Sequence, residues 1–426
     1  MATGMTSHLG EIPLAASALV WSIYLSVVIF FTGIFFAIGV MIAQSFGAKD
    51  SQSISICFKQ GIILAILCSI PMMLIMWLSP MILILTKQDP KVITCAKSFF
   101  YSLAWSMLPF NILVVIEQFF NGITKTKPVM YISLLSIPIE IFFYYVFLFG
   151  KFGFPKTGLA GIGYGLAASY YMVSIFFGCY IYFSKEFKIY ALFKKWWILN
   201  HKFFKEILRI GLPIGFMYCS ELIFFAIITF MMSAIGITTL AAYRVSHQYL
   251  MMGLVVLFGI GQAAFIRVGN EVGHNDRNQI RIASAVSFII ALIAMIIFSL
   301  FYIVFPEQTI KIIIDTNSND LQKVIVLIKS FFPIVGLLLL FEAIRFTVGS
   351  SLRGLKDTTY QMVISVFGFW LIAFPGAYLL AFRFGYGGRG IWLGILIGLC
   401  IIGFAMLMRF NRLVKQVDLL SLVTKE

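Results

Sequence analysis

The sequence predicts an all-α polytopic membrane protein with two six-helix-type lobes related by a parallel internal repeat, and eleven transmembrane helices. Three observations carry this expectation. Of 426 residues, 61% are hydrophobic and only 12% charged, with a mean hydropathy of +0.99; that is about half the charged fraction of a soluble protein. Apolar runs of twenty or more residues recur along the chain, each long enough to cross roughly 30 Å of hydrocarbon. The second half of the sequence also repeats the first.

The apolar segments fall near 14–42, 58–86, 97–120, 128–149, 159–183, 207–234, 240–266, 281–305, 325–348, 360–384 and 390–410. Sorting the 32 Lys and Arg by the loops between these segments puts 20 on one side. Basic loops resist translocation, so that side is expected to be cytoplasmic. The C-terminus then lies inside and the N-terminus outside, as a multi-pass protein of the cell's inner (cytoplasmic) membrane. Residues 1–48 hold no Lys or Arg, in keeping with that orientation, and lack the basic region of a signal peptide. The net charge of +15 therefore reads as topology, and no nucleic-acid partner is expected.

Six cysteines (57, 68, 95, 179, 219 and 400) form no CxxC pair, and four histidines show no zinc spacing. No metal cluster and no cofactor follow from them. HExxH, GxSxG and clustered His or Cys are all missing, so the chain does not read as an enzyme.

The repeat is explicit. "LGEIPLAA" at 9–16 matches "IGITTLAA" at 235–242, and the same offset of 226 carries Gly47 and Asp50 onto Gly273 and Asp276. "KVITCAKSFF" at 91–100 matches "KVIVLIKSFF" at 323–332 with an offset of 232, which also carries Gly122 onto Gly354. Same-orientation repeats are a transporter architecture, with a substrate path running between halves that open alternately to each side. Ile235 follows a whole apolar segment, whereas eight residues precede Leu9. The first lobe (1–184) is thus expected to hold five helices, lacking the counterpart of 207–234. A basic, amphipathic linker over 185–209 leads to the second lobe (210–426), with six helices and a short cytoplasmic tail.

Four acidic residues lie within apolar segments: Glu117, Glu140, Glu221 and Glu342. An ionised side chain at mid-bilayer costs about 2.5–3.5 kcal/mol even on insertion scales, so such residues mark an ion or substrate path unless a partner holds them. Glu342 has one near at hand, because Arg345 follows it by one helical turn. Glu221 and Glu342 are the candidates to exchange a proton, or to hold Na⁺ when deprotonated. Glu140, Glu117, Arg345, Tyr218 and Gln248 are the candidates for cation or substrate contact, joined by Tyr144 on the family resemblance described next. Pro138, Pro213 and Pro375 within apolar segments predict kinks that act as hinges.

Several stretches resemble the multidrug and toxic compound extrusion (MATE) family, in particular its NorM-like branch. They are "HLGEIPLAA" with "AQSFGAKD", "NGITKTKPVM", "FGKFGFPKTGLAGIGYGLAAS", "IGLPIGFMYCSELIFF", "LAAYRVSHQ", "IRVGNEVG" and "GSSLRGLKDTT", and they span nearly the whole chain in family order. The resemblance implies a twelve-helix, monomeric transporter of two six-helix lobes that exports cationic or amphiphilic small molecules in exchange for Na⁺ or H⁺. It places cation-site acids at Glu221 and at Glu342, the latter standing where Asp is usual. The family's first-lobe site uses an Asp that aligns just before Met1, outside this chain. Its two Asn positions read here as Glu140 and Tyr144, and Glu117 replaces a usual Arg. Two further readings stand beside efflux: a flippase for lipids or lipid-linked precursors, which calls for a strongly cationic cavity, and a truncated, transport-inactive remnant.

Overall fold

A computed structural model describes residue 6 and residues 10–153, 157–194, 198–312 and 321–424. Every regular element among them is helical: α1 (Glu11–Gly47), α2 (Ser51–Leu85), α3 (Pro90–Ala104), α4 (Met107–Gly122), α5 (Thr126–Phe149), α6 (Ala160–Phe183), α7 (His201–Ile235), α8 (Ile237–His274), α9 (Arg277–Val304), α10 (Pro306–Lys311), α11 (Gln322–Gly354), α12 (Thr358–Arg383), α13 (Gly387–Gln416) and α14 (Leu419–Leu422). Ten of these are long and apolar enough to cross a bilayer, and the bent pair α3–α4 makes eleven. Their lipid faces are visible as stripes of exposed apolar side chains. On α9, Ile289, Ile293, Ile297 and Leu300 recur at helical spacing with about half of each side chain exposed.

The segment read as one span over 97–120 is broken, bending by 45° between Ala104 and Met107. Pro109 is the cause. It lacks an N–H, and in an unbroken helix its ring would strike the carbonyl of Trp105, four residues earlier. The chain instead tightens into i→i−3 bonds, Trp105 N to Ser102 O (3.3 Å) and Ser106 N to Leu103 O (2.9 Å). The corresponding position of α11 is Phe341, and α11 runs unbroken. Of the prolines expected to act as hinges, Pro138 and Pro213 sit inside continuous helices. Pro375 lies between two π-helical turns of α12, Gly368–Ala373 and Leu379–Arg383.

The chain divides into two compact units, residues 1–215 with 424–426, and residues 216–423. The expected linker thus belongs to the first unit. Over 185–209 the described residues form no single amphipathic helix, but a 3₁₀ turn (Lys185–Tyr190), a further turn at 191–194, and the first residues of α7 from His201.

The repeat survives most plainly in the turns. Left-handed backbone occurs at Gly10 and Gly236 (φ 102° and 151°) and at Lys49 and Asn275 (57° and 60°). It recurs at Thr124 and Lys356 (both 60°) and at Gly153 and Gly385 (83° and 76°). Each pair is separated by the offset found in the sequence. Asp50 and Asp276, also equivalent, cap α2 and α9 in the same way, accepting from Gln52 N and Ser53 N, and from Asn278 N and Gln279 N.

In the first unit, α1 crosses the start of α7 through glycine. Gly211 and Gly215 form a GxxxG step, and a Cβ on Gly215 would stand 2.6 Å from the Phe30 carbonyl oxygen. A Cβ on Gly33 would stand 2.7 Å from the Gly215 Cα. Small residues of this kind let membrane helices approach closely where no hydrophobic force draws them together. Asn111 on α4 adds polar glue, donating to Ser69 Oγ on α2 at 2.9 Å. In the second unit, α8 packs on α11 at Gly253 against Leu339 and at Gly261 against Ser350. Arg277 at the head of α9 satisfies the end of α13, donating to the carbonyls of Val414, Lys415 and Val417 at 3.0, 2.6 and 2.7 Å.

Candidate functional site

Glu342 and Arg345 lie one turn apart on α11, so their side chains leave the helix on the same face. Arg345 Nε donates to Glu342 Oε2 at 2.6 Å. The two terminal nitrogens of the same guanidinium reach α7, Nη2 to Glu221 Oε1 at 2.8 Å and Nη1 to Glu221 Oε2 at 3.1 Å. One planar fork therefore serves two carboxylates, a geometry that a lysine ammonium cannot reproduce. The side chains of Arg345 and Glu342 are 4% and 1% exposed, and that of Glu221 is 13% exposed. The rings of Phe346 and Phe369 flank the guanidinium carbon at 4.7 and 5.6 Å.

This buried triad is unbalanced. With both acids ionised, two negative charges face one positive charge. In addition, Glu342 Oε1 is buried without a hydrogen-bond partner. A buried carboxylate oxygen in that position is costly unless a proton or a small cation completes it. The sequence reading gave Glu342 and Arg345 as a local pair; the structure adds Glu221 to the same guanidinium, 124 residues away.

The surroundings contain groups that the sequence reading did not single out. The first π-helical turn of α12 holds Phe369 and Trp370, and Trp370 Nε1 donates to Ser220 Oγ at 2.8 Å, beside Glu221. Phe224 packs on Phe369 with ring centroids 4.9 Å apart. π-Helical turns have no clear sequence signature, so this placement was not legible. His247 on α8 stacks against Phe225 and Tyr243 at 5.3 and 5.4 Å, and its Nε2 is buried without a partner. A histidine within an apolar run was the signal that could have flagged it. Tyr218, one turn before Glu221, accepts from Arg353 Nη2 at 3.0 Å. Gln248 is exposed on α8 and makes no hydrogen bond to the triad among the described residues.

The first unit brings a different set together. Glu140 and buried Tyr144 on α5 gather with Tyr24 of α1 and Tyr170 of α6, and the Tyr24 hydroxyl faces Ser106 at the α3–α4 break. Phe110 packs beside Tyr170 at 5.7 Å. Glu117 stands apart on α4, half-buried and without an ion pair among the described residues. The second unit's acid and its arginine have no counterparts here, since Phe110 and Leu113 occupy the positions equivalent to Glu342 and Arg345. Outside the spans, Lys125 binds Glu186 at 2.6 Å, and that hydrogen bond, with the carboxylate's charge, holds the ammonium above its ordinary pKa. On the other side of the sequence, the hydrogen bond from Lys329 draws Glu307 below the usual carboxylate range.

Known proteins resemble the chain in sequence and in fold. The MatE family profile matches residues 1–146 and 213–379. A protein of Mesorhizobium japonicum described as "Probable multidrug resistance protein NorM" is 30% identical over 410 residues, covering 96% of this chain and 88% of the relative. One with the same description from Halalkalibacterium halodurans is 31% identical over 418 residues, covering 98% and 90%. The outward-facing structure of a multidrug resistance MATE family transporter superposes with a TM-score of 0.87 at 17% identity, covering all of this chain and 92% of that one. The eukaryotic MATE transporter AtDTX14 does so with a TM-score of 0.81 at 23% identity, covering 99% and 92%.

Proposed function

This chain belongs to the MatE family, and on that premise we propose that it is a multidrug efflux transporter exchanging cationic or amphiphilic small molecules for Na⁺ or H⁺, with Glu221, Glu342 and Arg345 as its coupling site. The observation that carries the reading is the charge imbalance of the triad together with the unpartnered Glu342 Oε1. A proton or Na⁺ arriving at Glu342 neutralises the surplus charge and leaves Arg345 paired with Glu221. Its departure restores a net negative site, which attracts the next cation, whether coupling ion or substrate. An arrangement in which acids outnumber the base favours cationic cargo, and gives no support to a flippase built on a cationic cavity.

The protein acts as a monomer, multi-pass in the bacterial inner membrane, with the C-terminus cytoplasmic. The first lobe (1–184), linker (185–209) and second lobe (210–426) work by alternating access. Glu140 and Tyr144 are secondary contacts for the cation or the substrate. The test is ethidium export from an efflux-deficient bacterium expressing the chain, beside Glu221→Gln and Glu342→Gln at matched membrane levels. Loss of export in both variants is expected; export that neither change reduces refutes the coupling role.

A further inference from the structure

We propose that the first unit carries a site for one anionic phospholipid, with its headgroup against the start of α2 and an acyl chain in the apolar cavity alongside. Two cavities meet there. The larger, about 640 Å³, is lined by Ser55, Lys59 and Gln60 of α2 and by Tyr190, Lys194 and Asn200 of the stretch before α7. The smaller, about 240 Å³, is walled by Phe58, Ile62, Ile112, Ile116, Leu192 and Phe193. Lys59 lines both.

The polar cavity offers two cations to an anionic headgroup. Neither Lys59 nor Lys194 makes an ion pair among the described residues, so both charges are available to an anion. Two carboxylates in the neighbourhood are committed elsewhere: Asp50 caps α2, accepting from Gln52 N, Ser53 N and Ser53 Oγ at 3.1, 3.0 and 2.7 Å, and Glu186, near Tyr190, binds Lys125 at 2.6 Å. Ser55 and Gln60 complete this lining, both buried, at 6% and 1% exposed.

The described residues beside the cavity are held at two points. Phe187, 2% exposed, packs edge-on against Phe120 and Tyr180 at 5.4 and 5.7 Å. Gln60 Nε2 donates to Ile198 O at 2.8 Å, tying the far end of the stretch to α2. The adjoining apolar cavity is what selects a lipid over a soluble phosphate, because a free anion has no use for it. Both lysines lie on the side rich in basic loops, where anionic headgroups gather against basic residues.

The test uses the full chain, purified and stripped of lipid, with binding read by native mass spectrometry. Dioleoyl phosphatidylglycerol, dioleoyl phosphatidylcholine and soluble glycerol 1-phosphate are titrated in turn. One phosphatidylglycerol per chain is expected, held at least about tenfold more tightly than phosphatidylcholine. Lys59→Gln and Lys194→Gln should each weaken it about fivefold, Lys59→Arg should restore it, and Ile112→Trp, which fills the apolar cavity, should abolish retention. Lys194 is exposed, so its exchange leaves folding undisturbed and keeps the measurement decisive. Equal retention of the two lipids, or wild-type binding by both lysine variants, overturns the proposal. Displacement of phosphatidylglycerol by glycerol 1-phosphate at equal concentration overturns it too, leaving an anion pocket without a lipid role.

Discussion

Removing the Arg345 guanidinium, as in Arg345→Met, strands two buried carboxylates. Three charge-assisted hydrogen bonds, at 2.6, 2.8 and 3.1 Å, vanish together, and none of the three side chains is more than 13% exposed. Breaking a buried ion pair by deleting one partner costs about 3–5 kcal/mol, because the remaining charge stays desolvated. That corresponds to a shift of about a hundred- to several-thousand-fold in the folding equilibrium. The triple variant Arg345→Met, Glu221→Gln, Glu342→Gln removes every charge while keeping the shape, and should recover all but about 1 kcal/mol, since neutral replacements of buried ion networks are often tolerated. Denaturant unfolding in detergent micelles, followed by tryptophan fluorescence, measures both. If Arg345→Met costs less than about 1 kcal/mol, as an exposed pair would, the triad is not a closed buried network and the reasoning fails. The triple variant also separates roles: it should fold, yet export nothing.

Two further outcomes follow from the structure. Gly215→Leu should leave little folded protein, because even its Cβ would stand 2.6 Å from the Phe30 carbonyl; Gly215→Ala should cost about 1–3 kcal/mol as overpacking, and a variant as stable as wild type on unfolding would remove the glycine contact from the account. Lys329 holds the Glu307 pKa below its ordinary value, so the pair's stabilisation is present at neutral pH and disappears as pH falls through that lowered pKa. Lys329→Met should therefore lower the melting temperature slightly at pH 7 and not at all well below pH 4; an unchanged difference across that range would show that Glu307 does not report on the pair.

Much of this fold is legible in composition and period alone. Length and hydropathy of each run give the spans, and two offsets give the repeat, whose turns the backbone then reproduces at Lys49 and Asn275. The two acids of the triad stand out because ionisable groups are rare in apolar runs. What joins them does not stand out. Helices that are apolar on every side carry no periodic signal to say which face meets which neighbour, so nothing local points Arg345 at Glu221. The tyrosines around Glu140 were hidden for the same reason, as Tyr24 and Tyr170 read like any aromatic in a membrane helix. The bend at Pro109 was legible in principle: a proline inside an apolar run breaks or kinks the helix, and hydropathy averaged over the segment conceals it.

The repeated turns have a consequence of their own. They mark the two halves as backbone copies, yet the copies have drifted apart in chemistry. Glu342 and Arg345 correspond to Phe110 and Leu113, and Glu140 corresponds to Ile372. Each of these acids therefore has an apolar side chain at the equivalent position of the other half. The scaffold is twinned while the placement of its charges is not. What distinguishes the two halves in charge is a handful of side chains, not the turns they share.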